Sequence, residues 1–323
     1  MLDTLARKLK AEARRLGFED CGISRAEPLD EEARRLEQWL LEGRYGTMEW
    51  MADHFDKRTD PTKLVPGAKS VISVLQNYYQ PDPHEADKAE TEGAASIEPG
   101  AQRGKISRYA WGDDYHEVMK EKLYQLYQWL QEELGAEVHG RAFVDSAPVM
   151  DKAWAVRSGL GWQGKNTLLL NRKMGSYFFL GELIVDVELP TDHPVPDSCG
   201  SCTRCLDACP TDALYEPYAL DSARCISYLT IEHRGFDVPE EIQEDVHNWI
   251  FGCDICQEVC PWNKFARMTN EPRYAARPDV RDTMLRDWVE INLETFERRF
   301  KDTPVTRAGF EGFRRNVRAA IQG

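Results

Sequence analysis

An α/β (α+β) domain over residues 1–190, followed by a small cysteine-rich module, is the fold that three observations predict. Helix-period and strand-period segments alternate through the first 190 of 323 residues. Pro190, Pro194 and Pro196 then interrupt the pattern and read as a linker. Beyond them Cys199, Cys202, Cys205, Cys209 and Pro210 form the run Cys-x-x-Cys-x-x-Cys-x-x-x-Cys-Pro, and Cys253, Cys256, Cys260 and Pro261 repeat its end. Two linked runs of this kind are the bacterial-ferredoxin arrangement for a pair of iron–sulfur clusters, each run lending its last cysteine to the other cluster.

Each element follows from local pattern. Leu2, Leu5, Leu9 and Leu16 fall near helical spacing among charges, so residues 1–17 read as an amphipathic helix. Residues 30–43 read as a second, with Asp30 as its N-cap; Gly17 and Gly43 close the two. The β-branched and aromatic stretch 70–79 reads as a strand. Residues 81–105 have no apolar period and read as a mobile surface loop of unassigned role. A long helix over 113–134 carries Val118, Leu123, Leu126, Leu130 and Leu134 on one face and stops at Gly135. A short strand at 142–144 runs into Asp145-Ser146-Ala147-Pro148. Residues 167–171 and 176–189 read as paired strands around a turn at 172–175. The cysteine module is expected over 191–262, with a helix near 239–250, and residues 263–323 read as a short, basic, partly helical tail.

Charge and composition exclude several classes. A net charge of −14 argues against a protein that coats nucleic acid indiscriminately. Residues 262–323, however, hold 13 Lys and Arg against 9 Asp and Glu. That basic end would suit one structured polyanion, although a solvated helix surface explains the same composition. No apolar run reaches the roughly 18 residues of a membrane span. The N-terminus lacks the apolar core and cleavage site of a secretory signal, so a cytoplasmic location is expected. In a reducing cytosol nine cysteines point to metal ligation or catalysis rather than disulfides.

Crossing the two runs gives one cluster Cys199, Cys202, Cys205 and Cys260. The other takes Cys209, Cys253 and Cys256 and lacks a ligand, because Ile250 stands where a symmetric second run would begin. Cys225 is the remaining cysteine of the neighbourhood and is assigned there. Zinc is the competing reading of any single Cys-x-x-Cys pair, but linked runs each closed by Cys-Pro disfavour it. Cys21 stands apart and reads as a buried small apolar residue. A bare ferredoxin needs little more than this module, so the preceding domain is expected to build a second redox centre. No Gly-x-Gly-x-x-Gly follows a strand, which removes a nicotinamide fold of the Rossmann kind. The glycine-rich run 159–164 is either a plain turn or a close approach to a flat cofactor, with Gln163, Lys165 and Asn166 as donors.

Six segments together resemble the epoxyqueuosine reductase family: RTDPTKLVPGAKSVI (58–72), ISRYAWGDDYH (106–116), FVDSAPVMDKAWAVRSGLGWQGKNTLL (143–169), CGSCTRCLDACPTDAL (199–214), CISYLTIE (225–232) and GCDICQEVCPWN (252–263). The resemblance spans about residues 40–318 in order and spacing. It implies a cobalamin-dependent enzyme with two 4Fe–4S clusters, distantly similar to reductive dehalogenases. Such enzymes reduce epoxyqueuosine to queuosine at the wobble position of tRNA. It places the eight cluster ligands on the cysteines assigned above, Cys225 included. It also puts the proton donor on Asp145, which the residues alone would make a cap or turn residue. Cobalamin contacts are implied at Arg58, Tyr109, Asp145, Asn166, Leu169, Ser227 and Asp254. The Asp-x-His-x-x-Gly pattern of histidine-ligated cobalamin is absent, consistent with cobalt lacking a protein histidine.

Many family members continue into a helical-repeat domain that helps to bind tRNA, whereas this chain stops at Gly323. Its grip on RNA is therefore expected from the body and from Arg298, Arg299, Lys301, Arg307, Arg314, Arg315 and Arg318. An external single-electron donor, flavodoxin- or ferredoxin-like, is implied. The rival readings are a dehalogenase-like corrinoid enzyme acting on a small molecule, and a ferredoxin-type electron-transfer protein with no substrate of its own.

Overall fold

The structure, a computed structural model, describes residues 2–84 and 102–322. The loop expected over 81–105 therefore lies largely outside the described residues. Eight strands are described: β1 (Asp20–Arg25), β2 (Ser70–Asn77), β3 (Lys105–Ile106), β4 (Gly140–Phe143), β5 (Trp162–Gln163), β6 (Leu169–Leu170), β7 (Phe178–Val185) and β8 (Trp249–Phe251). The main sheet has the order β1-β2-β7-β4, with every pair antiparallel. All eight residues of β2 are buried, because helices cover both faces of the sheet. On one face Ile72, Val74, Leu183 and Val185 meet Leu5 and Leu9 of the helix Leu2–Arg15 and Met119, Leu123 and Leu126 of the helix Tyr115–Leu134. On the other, Val71 and Ile184 meet Leu29, Val65, Val149 and Trp154. Neighbouring residues of one strand serve opposite faces, as the two-residue period of the pleat requires.

The long helix begins where its N-cap allows. Asp114 accepts a hydrogen bond from the His116 amide at 2.9 Å, and Gly135 ends the helix at φ +59°, where a Cβ would be strained. The helix Asp30–Leu41 starts one residue earlier than a cap at Asp30 would imply. Leu29 is its N-cap, drawn into the core with its amide on the Thr59 carbonyl at 2.8 Å. Asp30 is the first helical residue instead, and the first-turn acids Asp30, Glu31 and Glu32 complement the helix dipole.

Two further expectations are corrected. β6 pairs with β5, not with β7, and a lone bridge between Asn171 and Gly175 is what remains of the expected hairpin. Both edges of β7 are already taken by β2 and β4. In the stretch 239–250 the helix Glu240–Gln243 is one turn long, and Trp249-Ile250-Phe251 form β8, parallel to β3. β-Branched and aromatic side chains favour that strand over further helix.

Residues 263–323 are not a loose tail. Ile106 and Trp111 share one core with Phe251, Trp288, Phe296, Phe300, Phe313 and Val317, so the C-terminal helices Leu293–Phe300 and Gly309–Gln322 close over β3 and β8. Arg315, read from the sequence as a phosphate contact, is 4% exposed. Its guanidinium donates to the carbonyls of Leu229, His233 and Gly235 at 2.7–2.9 Å, and neighbouring Asn316 donates to those of Thr230 and Ile250. Arg315→Ala would remove the donor from the buried Leu229 carbonyl and from the less buried carbonyls of His233 and Gly235. We expect a loss of about 3 kcal/mol of unfolding free energy in denaturant titration, with tRNA affinity unchanged.

Candidate active site

A cavity of about 1320 Å³ opens between the sheet domain and the cysteine module. Its lining gathers Arg58, Tyr109, Tyr115, Asp145, Asp151, Lys152, Cys225, Ser227, Tyr228 and Arg307 from segments far apart in the chain. Asp145 follows β4 with φ +45°, a left-handed conformation that aspartate tolerates better than most side chains. That turn presents its carboxylate to the cavity. The Tyr115 hydroxyl donates to Asp145 Oδ2 at 2.7 Å. Burial, and then the Asp145 charge, push the Tyr115 phenol well above its ordinary range, so it remains a donor. Tyr115 is itself fixed by stacking on Phe179, with centroids 4.2 Å apart and rings 5° from parallel. Opposite, Tyr228 Oη accepts from the Thr47 amide at 2.7 Å, and its ring lies so close to Gly46 that a Cβ there would sit 2.4 Å from it.

Behind Asp145 lies a second acidic group that sequence reasoning did not single out. Glu182 on β7 is fully buried, and neither carboxylate oxygen has a donor. It faces Asp151, whose Oδ1 is likewise buried without a donor. Two carboxylates cannot satisfy one another unless a proton lies between them. Burial raises Glu182 far above the carboxylate range, with Asp151 adding to the shift, and burial pushes Asp151 up to about 6. The signal was available as a lone acid within the apolar strand FFLGELIV.

Because the folded chain holds these protons more tightly than the unfolded chain, their contribution weakens as pH rises. The decline starts near the ordinary carboxylate value of about 4 and continues through about 6 for Asp151. Glu182→Gln keeps the shape and removes the buried acid. It should flatten this decline in thermal-unfolding scans and leave the protein at least as stable at pH 8.

The cysteines separate into two sets. Cys199, Cys202, Cys205 and Cys260 line a second cavity, of about 350 Å³. Burial, Cys260 and Cys199 together push the Cys205 thiol up to about 11. Cys256 is raised by burial and then by Cys225 and Cys209, and Cys253 by burial and then by Cys256 and Cys225. All nine cysteines are free. Among the described residues no three Cys, His, Asp or Glu side chains converge on a single metal ion. Cys21 is buried, and burial pushes its thiol up to about 12.

Of the implied cobalamin contacts, Arg58, Tyr109, Asp145 and Ser227 line the large cavity, while Asn166, Leu169 and Asp254 do not. Asn166 lines the smaller cavity and donates to the Cys256 carbonyl at 3.3 Å. Leu169 packs inward with Leu75, Leu160 and Phe178. Asp254 balances buried Arg108, accepting from its amide at 2.9 Å and its Nη1 at 3.1 Å, and also from Ser107 Oγ. The glycine-rich turn runs between the two cavities: Gln163 and Thr167 line the large one, Lys165 and Asn166 the small one. Lys165 Nζ donates to the carbonyls of Gly200 and Cys202, pinning the loop that carries the first cysteines.

Comparison with known proteins follows the same division. A family model described as Epoxyqueuosine reductase QueG, DUF1730, matches residues 58–146, and one described as a 4Fe-4S double cluster binding domain matches residues 198–263. The epoxyqueuosine reductase of Cellulophaga algicola is 51% identical over 309 residues, covering 96% of this chain and 95% of its own. That of Escherichia coli is 40% identical over 320 residues, covering 99% and 81%. A crystal structure of epoxyqueuosine reductase with a tRNA-Tyr epoxyqueuosine-modified tRNA stem loop superposes with a TM-score of 0.89 at 31% identity, covering 99% of this chain and 82% of that one. Among the described residues no helix is long and apolar enough to cross a membrane.

Proposed function

The chain belongs to the epoxyqueuosine reductase family, and on that premise we propose how its residues reduce epoxyqueuosine to queuosine in the anticodon of tRNA. The observation that carries the reading is the meeting of Asp145, its Tyr115 partner and Cys225 in one large cavity. Epoxyqueuosine reductases are oxidoreductases that use cobalamin and two 4Fe–4S clusters, and the double-cluster domain is present here. Cys199, Cys202, Cys205 and Cys260 would hold one cluster. Cys209, Cys225, Cys253 and Cys256 would hold the other, which reaches the large cavity through Cys225.

The large cavity fits a corrin on its own chemistry. Arg58 Nε is buried on its wall without a partner, ready for the amides that fringe such a ring. Met48, Trp50 and Ile231 supply apolar wall. When bound, cobalamin supplies low-valent cobalt, a strong nucleophile and reductant.

Converting an epoxide to an alkene and water takes two electrons and two protons. Tyr115 holds Asp145 Oδ2 in place, and Asp145 hands the first proton to the epoxide oxygen. Glu182 and Asp151 keep a further proton beside it, from which Asp145 can be restored. A nucleotide seated over the cavity would exclude water from Asp145 and its Tyr115 partner.

Exposed Arg298, Lys301 and Arg318, with Arg307 at the cavity mouth, are the candidate phosphate contacts. Arg299 instead lies over the Trp288 ring at 5.1 Å. The site of action is cytoplasmic, and a flavodoxin- or ferredoxin-like carrier supplies single electrons. Nucleoside analysis of tRNA from a strain lacking the gene tests the reading. Epoxyqueuosine should accumulate there, and normal queuosine would remove the proposal.

A further inference from the structure

The lining of the smaller cavity differs from that of the large one in the sign of its charge. Its lining includes Lys165, Arg204 and Lys264 and no Asp or Glu. The large cavity has eight carboxylates on its wall against four Lys and Arg, and the whole chain carries −14. Arg204 and Lys264 are exposed. Arg172, also exposed, donates to Ser198 Oγ at 2.7 Å, and Ser198 lines the same mouth. Apolar surface adjoins these charges. Trp262 and Phe265 line the mouth, Phe265 is 41% exposed, and nearby Met268 is 67% exposed. The two cavities share no lining residue.

A basic, partly apolar rim around four cysteines suits an anionic partner that delivers electrons there. We propose that this face docks the electron donor, and that the donor is a small protein whose redox centre is ringed by carboxylates. The inference rests on the cluster ligation proposed above and adds the entry face, its residues and the chemistry of the partner. Opposite charges steer such a carrier to the rim. A small polar contact suits a carrier that must leave after each delivery. Each encounter oxidises the donor by one electron. Two encounters provide the two electrons that, with two protons, turn the epoxide into an alkene and water. The other polyanion at hand is tRNA, but its reacting nucleotide belongs to the large cavity on the far side of the 163–167 turn.

The test compares the anaerobic holoenzyme with its Arg204→Glu/Lys264→Glu form, after iron and sulfide analysis of both. A purified, reduced bacterial flavodoxin is the probe. Its binding is followed by surface plasmon resonance at two salt concentrations, and its electron delivery by stopped-flow bleaching of the cluster absorbance without tRNA. Methyl viologen radical cation serves as a small reductant of opposite charge. We expect flavodoxin-driven bleaching to slow by about tenfold or more in the double variant. Binding to the wild type should weaken with salt, viologen-driven bleaching should not slow, and affinity for a tRNA stem loop should not change. Full clusters with equal flavodoxin rates in both proteins would overturn the docking face alone. Loss of stem-loop affinity with flavodoxin rates intact would overturn it in favour of RNA. A wild-type protein without cluster absorbance would overturn the ligation and the docking face together.

Discussion

Asp145→Asn is expected to keep the iron, sulfide and corrinoid content of the wild type and to turn over about 10²–10⁴-fold more slowly. The position allows an unusually clean substitution. Asp145 sits at φ +45°, where most side chains are strained, and asparagine tolerates that region as well as aspartate does. The Tyr115 hydroxyl can still donate to the amide oxygen, so the turn and its orientation persist. What disappears is the transferable proton. Alanine would mix that loss with backbone strain, and so would be the poorer test. Single-turnover conversion of an epoxyqueuosine-containing stem loop, followed by nucleoside analysis, reads the result. Wild-type rates in a fully loaded variant would remove the proton-donor role and leave Asp145 as a turn residue. Tyr115→Phe should have a smaller effect of the same kind, because it positions the acid without carrying the proton.

The parts of the molecule set by local chemistry were legible in the sequence. The helix Tyr115–Leu134 announces its apolar face and its stop at Gly135, though not its cap at Asp114, and β2 announces itself by β-branched density. The cysteine runs state their ligand class because thiolate spacing is itself the chemistry. Tertiary competition was not legible. β7 could not reveal that both its edges would be taken, so a local hairpin looked the natural solution. Arg315 reads as one more surface arginine until three carbonyls are seen converging on it. The Arg108–Asp254 pair joins residues 146 apart in the chain. The Glu182–Asp151 pair arises only when β7 lies beneath the helix Asp151–Arg157. In each case the deciding interaction joins residues with no fixed sequence offset, and no local pattern encodes it.

Cys225 offers the sharpest test of the cluster architecture, because spacing alone leaves the second set one ligand short. Cys225→Ala should lose roughly half of the iron and sulfide while one cluster persists in the paramagnetic resonance of the reduced protein. Turnover should fall below detection, since the set that loses its cluster is the one reaching the large cavity. The residue caps the helix Ile226–Ile231 through its backbone, so the substitution leaves that helix its start and far-ultraviolet dichroism should be little changed. Cys21→Ala provides the contrast. That thiol is buried within the sheet domain's core, apart from both sets, and its removal should leave iron content and turnover intact. Full iron in the Cys225 variant, or an equal loss in the Cys21 variant, would break the crossed assignment of the eight ligands. Alanine at Cys199 would then separate the two clusters from the other side. It should remove the cluster at the basic mouth, stopping reduction by a protein donor while the cluster beside the cavity still forms.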